Sequence, residues 1–183
     1  MRRAILSDYE RLKNYPDYFQ NEDYSQVDKF IKNKFNKGIT PIERTSKTNV
    51  DIFYKKYGYD LPKEIQYYIN IFWHSYISGF NKEMQKYSDE AITLFQVLKY
   101  QNESDDEVIY HKCGLMYMAD DFIECSGDIQ KFIPIGWTGC SGGYVLYEVN
   151  TSKIYITDLD DNLIKTPIAG NLAELIGELE LMI

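Results

Sequence analysis

The order of residue patterns predicts an α+β protein: N-terminal helices followed by a mainly antiparallel twisted sheet, closed by a C-terminal helix. Three observations carry this. Up to Gly79 the apolar residues recur largely at helical spacing. From Ala91 onward, short runs rich in β-branched and aromatic residues are separated by polar turns. Near the end, Leu172, Leu175, Ile176 and Leu179 again share one helical face. Helices first and strands later argue against a doubly wound sheet, in which the two alternate.

The elements follow in order. Residues 1–24 are polar and rich in tyrosine, and Pro16 breaks any long helix, which leaves a short one over Arg3–Lys13. A second helix starts near Ser25, where Ser25 to Asp28 resembles a capping box, and Val27, Phe30 and Ile31 make its apolar stripe. Gly38 to Pro41 ends it. A third helix is expected over Lys47–Tyr57, stopped by Gly58. The fourth carries the strongest start signals: Asp60 as cap, Pro62 in the first turn and Glu64 near the positive end. Its stripe of Leu61, Ile65, Tyr68, Ile69, Phe72, Trp73 and Tyr76 extends it to Gly79. Residues 80–90 read as a polar helix or loop. Strands are expected over 91–100, 108–118 (bent at Gly114), 132–135, 143–149, 153–157 and 163–167. Asp120 to Lys131 reads as a polar connection or a short helical turn, and a final helix runs from about Asn171 to Leu181.

Composition bounds the function classes. The chain has 183 residues, enough for one domain or one with an appendage, and 44% hydrophobic residues, enough for a substantial core. Seventeen tyrosines and nine phenylalanines suit core edges and partly wet contact surfaces. No apolar run reaches the ~20 residues of a membrane span. The apolar run after Met1-Arg2-Arg3 is too short for a signal-peptide core, so a cytoplasmic location is expected. Cys113, Cys125 and Cys140 are an odd set without a CxxC pair, and read as reduced thiols. The net charge of −8 is uneven. Residues 1–60 carry 12 Lys/Arg against 9 Asp/Glu, and the remainder carries 8 against 19. An acidic body argues against general nucleic-acid binding and suits a basic protein partner, although acidity also serves plain solubility.

Two strings look catalytic. Gly139-Cys140-Ser141-Gly142-Gly143 matches the G-x-S-x-G nucleophile elbow, but a strand follows it instead of a helix. Both histidines, His74 and His111, lie upstream of Ser141, whereas that fold places its histidine downstream. Asp158-Leu159-Asp160-Asp161-Asn162 matches the opening of a calcium loop, but Leu163 and Ala169 stand where glycine and glutamate belong. A polar turn between strands explains these acids. His111 and Cys113 would share a strand face, yet paired zinc ligands at short spacing are absent. No catalytic residue, metal or cofactor is therefore assigned.

The run from Tyr57 to the C-terminus resembles the SUKH superfamily, in the branch related to fungal cell-wall-assembly regulators. The residues that carry this are Tyr57 to Ile65 (YGYDLPKEI), Phe132 to Gly136 (FIPIG), Gly143 to Tyr147 (GYVLY), Asp158 to Asn162 and Ile168 to Ile176, in the family's order. The family's usual Asn-Gly after the Leu-Pro helix is missing; Phe72 to Gly79 stands there. The resemblance implies a SUKH-like α+β domain over residues 46–183, with 1–45 as a largely helical N-terminal extension. It also implies a non-enzymatic protein-binding role: an immunity protein that binds and neutralises a toxin domain such as a nuclease. The alternatives are a regulatory scaffold like the fungal relatives, or a serine hydrolase using Ser141. Expected partner contacts are Asp105, Asp106, Trp137, Asp158, Asp160 and Asp161, with no nucleic acid, no membrane and an oligomeric state left open.

Overall fold

Arg2–Leu12 forms helix α1, which buries Ile5, Asp8, Tyr9 and Leu12 on one face. This face packs on the C-terminal helix of the chain. The computed structural model describes residues 1–14, 25–35, 41–87, 89–110, 114–125, 127–139, 142–158 and 162–180. Helix α2 spans Lys29–Phe35. It starts later than the Ser25 signal suggested: the Asp28 carboxylate accepts from the amides of Phe30 (2.9 Å) and Ile31 (3.3 Å) and is the cap. Val27 pairs instead with Tyr100 as an isolated bridge. Ile5, Tyr9, Val27 and Ile31 all join the main hydrophobic cluster.

Strand β1 is Ile42–Glu43, helix α3 is Asp51–Tyr57 and helix α4 is Lys63–Ile71. Gly58 terminates α3 at φ 78°, a left-handed conformation that glycine adopts without steric cost. Helix α4 begins after Pro62 without a side-chain cap, so Asp60 does not serve as one. It also stops eight residues before Gly79. Phe72–Trp73 is strand β2, paired antiparallel with β1, and Ile77–Gly79 is strand β3. Arg44 explains the stop. Its Nη1 donates to Ile69 O (2.7 Å) and its amide to Ile71 O (3.1 Å), taking up carbonyls that the helix end leaves without partners. Its guanidinium also lies 3.8 Å from the Trp73 ring centroid.

Ile92–Leu94 is strand β4. The strand expected over 108–118 does not form in its described parts: Glu107–Ile109 is a 3-10 turn and Leu115–Glu124 is helix α5. Leu115, Met118, Ala119 and Phe122 are its buried stripe, spaced i, i+3, i+4, i+7, and leucine, methionine and alanine favour helix. Strands β5 (Phe132–Thr138), β6 (Gly143–Glu148) and β7 (Ile154–Ile156) complete a five-stranded antiparallel sheet in the order β3-β4-β5-β6-β7. Helix α6, Leu172–Glu178, closes the chain. The observed order is the predicted α+β arrangement.

Both sheet edges are covered by the chain itself. Phe80 exchanges backbone hydrogen bonds with Glu180 beyond β3. On the other side Ile154 pairs with Ala169 and Thr157 with Leu163. Residues 163–167 form no strand of their own; they serve as this edge cover. Ile77, Ile92, Leu94, Ile133, Ile135, Val145, Tyr147, Ile154 and Ile156 bury one sheet face in the main core. No helix among the described residues is long and apolar enough to cross a membrane.

Candidate partner-binding face

The second face of the sheet is where the candidate site lies. Register places Ser78, Thr93, Trp137 and Tyr144 opposite one another across β3, β4, β5 and β6, so they form a single row of side chains. A bulge between Pro134 and Gly136 puts Trp137 in this row: Ile135 is the extra residue, and the inward–outward alternation shifts by one after it. Gly136 is required there, because a Cβ would meet Thr93 O at 2.3 Å.

One half of the row is roofed. Phe122 of α5 stacks edge-on against Tyr144 with ring centroids 5.2 Å apart, and these two join Phe132 and Leu146 in a separate small cluster. The Tyr144 hydroxyl donates to Asp121 Oδ2 (2.6 Å) and lies 3.7 Å from Cys125 Sγ. Burial, together with the bond to Asp121, pushes the Tyr144 phenol far above its ordinary value. Its proton is thus held in the bond to Asp121. A cleft of about 140 Å³ opens here, lined in part by Phe122, Cys125, Tyr144, Thr157 and Leu163.

The other half is open. Tyr76, Ser78, Thr93 and Trp137 are half-buried. Ser78 Oγ donates to Thr93 Oγ1 (3.0 Å), and Tyr76 packs edge-on to Trp137 at 6.5 Å. Three carboxylates flank the row. Asp121 holds Tyr144. Asp158 follows Thr157, whose amide donates to Tyr144 O and whose Oγ1 accepts from Tyr144 N. The Glu90 side chain lies against Gly139, next to Thr138 at the end of β5. An aromatic centre within an acidic rim matches the anatomy of protein-binding surfaces.

The expected contacts are thus divided. Trp137 and Asp158 lie at one end of the sheet. Asp105 and Asp106 lie elsewhere and are structurally engaged: Asp105 pairs with Lys99 (3.1 Å), its carbonyl accepts from Thr48 Oγ1 (2.6 Å), and Asp106 Oδ1 accepts from Asn49 N (2.6 Å). Burial pushes the Asp105 carboxyl up, but hydrogen bonds from Ser46 and Lys99 and the charges of Lys99 and Arg44 outweigh it, and the net shift is downward. These two acids tie the 101–107 loop to the 44–49 segment. Asp160, Asp161, Ser141, Cys140, His111 and Cys113 lie outside the described residues. Asp158 Oδ1 accepts from the Asn162 amide (2.8 Å). Tyr76, Glu90, Asp121 and Tyr144 escaped sequence reasoning. Strand alternation outward from Trp137 would have found Tyr144; Tyr76 was hidden by a helical reading of its segment.

No protein-family model matches this chain, and no curated protein matches it.

Proposed function

We propose that this protein is a non-enzymatic binding module that docks a basic protein partner on the open half of its sheet face. The observation that carries this is the half-buried Tyr76–Trp137 pair in a row that Glu90, Asp121 and Asp158 flank. The acidic composition of residues 61–183 supports it through long-range attraction to a positive surface. The covered sheet edges point to docking on the face, since strand addition needs a free edge.

The resemblance to the SUKH superfamily supplies the partner class. The partner is a toxin domain, and the role is that of an immunity protein that occludes the toxin's working surface. Co-expression with the toxin encoded beside this chain's own gene tests the reading. It expects rescue of growth and a co-purifying complex, and Trp137→Ala weakens that complex about tenfold or more through faster dissociation. A stable complex that tolerates Trp137→Ala would move the interface away from this face. Neither rescue nor complex would favour the regulatory-scaffold reading.

A further inference from the structure

We propose that the groove between the 47–50 segment and α4 binds a phosphate group carried by a small molecule, with the remainder of that molecule lying on Tyr67. The groove has a volume of about 380 Å³, within the range of roughly 300–1,000 Å³ typical of small-ligand sites. Lys63, Gln66, Tyr67 and Asn70 line it from α4 at i, i+3, i+4 and i+7, and Lys47 and Thr48 line it from the facing segment.

Three observations point to an anion. The first is sign: among the described residues two lysines and no carboxylate line this groove, in a chain with 28 acidic and 20 basic residues. Among the described residues neither Lys47 nor Lys63 forms an ion pair, so both ammonium groups are open to an anion. The second is the charge beneath the groove. Arg44 is buried, does not itself line the groove, and donates to Thr48 Oγ1 (3.1 Å) and Ile69 O (2.7 Å); among the described residues it makes no ion pair and its Nε has no hydrogen-bond partner. Asp105 and Asp106 come near Arg44, but they are held by Lys99 and by the Asn49 amide. The groove also begins at the first turn of α4, whose positive end has no side-chain cap.

The third is rigidity. Thr48 N donates to Asn70 Oδ1 (2.8 Å), Asn70 Nδ2 to Gln66 O (3.0 Å) and Gln66 Nε2 to Leu61 O (2.6 Å). The floor is therefore fixed before any ligand arrives, which lowers the ordering cost of binding. Tyr67, 49% exposed at the edge, offers an aromatic ring for stacking. A phosphate between two ammonium groups, with a planar group stacked on tyrosine, fits these parts.

The same groove could take free phosphate or a phosphate ester of a ring compound, and two probes separate these sources. Inorganic phosphate and adenosine monophosphate are titrated into the isotope-labelled full chain, and the amide shifts of Thr48, Lys63 and Tyr67 are followed. Saturable shifts are expected with both probes. Lys47→Gln with Lys63→Gln weakens both about tenfold or more, and Tyr67→Ala weakens only the nucleotide. All three side chains are exposed, so the fold tolerates these changes, and an unchanged thermal midpoint checks this. Absence of saturable shifts, or binding indifferent to the double lysine variant, overturns the proposal. Nucleotide binding indifferent to Tyr67→Ala overturns the stacking role. The proposal stands apart from the protein-docking face, so failure of either leaves the other in place.

Discussion

Asp8 and His74 are both buried, and their titrations pull stability in opposite directions. Asp8 accepts from Arg11 Nη2 (2.8 Å) through one oxygen, and the other has no partner among the described residues. Burial pushes this carboxyl up to about 6, against the lowering effect of Arg11. The unfolded chain ionises it near pH 4, so its stabilising contribution is full below that value and is lost as pH rises through about 6. His74 donates from Nδ1 to Ser75 O (2.7 Å), and its Nε2 is unpartnered among the described residues. Burial holds it down at about 4. Its contribution is full above the unfolded value near 6.5 and is lost as pH falls through about 4. Each effect is on the order of 3 kcal/mol, and across pH 4 to 6 they largely cancel. Urea midpoints measured against pH should expose this. Relative to wild type, Asp8→Asn gains stability as pH rises from about 4 to 6.5, and His74→Asn loses stability as pH rises from about 4 to 6. Profiles parallel to wild type would refute the assignment. Neither effect was legible in the sequence, because the spacing of α1 marks Asp8 only as a neighbour of Tyr9 and says nothing of its burial.

At the scale of elements, caps and close approaches set the boundaries. Helix α6 starts at Asn171, whose Oδ1 accepts from Glu174 N (2.8 Å), and Glu174 returns a bond to the Gly170 amide (2.8 Å). Asn171→Ala should cost about 1 kcal/mol in chemical denaturation. Gly136→Ala should cost more, about 2–3 kcal/mol, because its methyl would force β5 away from the Thr93 carbonyl. A loss below about 1 kcal/mol would mean that the bulge can relax. The helix at the end of the chain was readable from Asn171 and its leucine stripe, since both signals are local. The end of α4 was not. Phe72, Trp73 and Tyr76 fit a helical stripe as well as a strand, and the choice was made by Arg44 and by pairing with Ile42 and Glu43. Helix α5 was misread for a different reason: its β-rich neighbours Val108 and Ile109 obscured the spacing of Leu115, Met118, Ala119 and Phe122.

For the whole molecule, charge and shape act together. The acidic two-thirds of the chain carries the open sheet face, whereas the lysine groove lies at the junction of the basic first third, which supplies Lys47, Thr48 and Val50, with helix α4. If the proposed basic partner docks here, Glu90→Lys with Asp158→Lys is expected to slow its association severalfold and to flatten the salt dependence of the on-rate. Unchanged on-rates in stopped-flow mixing would count against electrostatic steering through this rim.

The sequence by itself determined the class and order of the fold, the hairpin strands from Phe132 to Ile156, the stop at Gly58 and the closing helix. Each rests on interactions within a few residues: periodicity, a cap or a turn. The tertiary structure alone decided where α4 ends, that residues 115–124 form a helix, which acids are spent on internal bonds, and that Trp137 shares an open row with Ser78, Thr93 and Tyr144. Those outcomes depend on partners distant in the chain, and on a one-residue bulge that turns the alternation of β5 over, which no local pattern encodes.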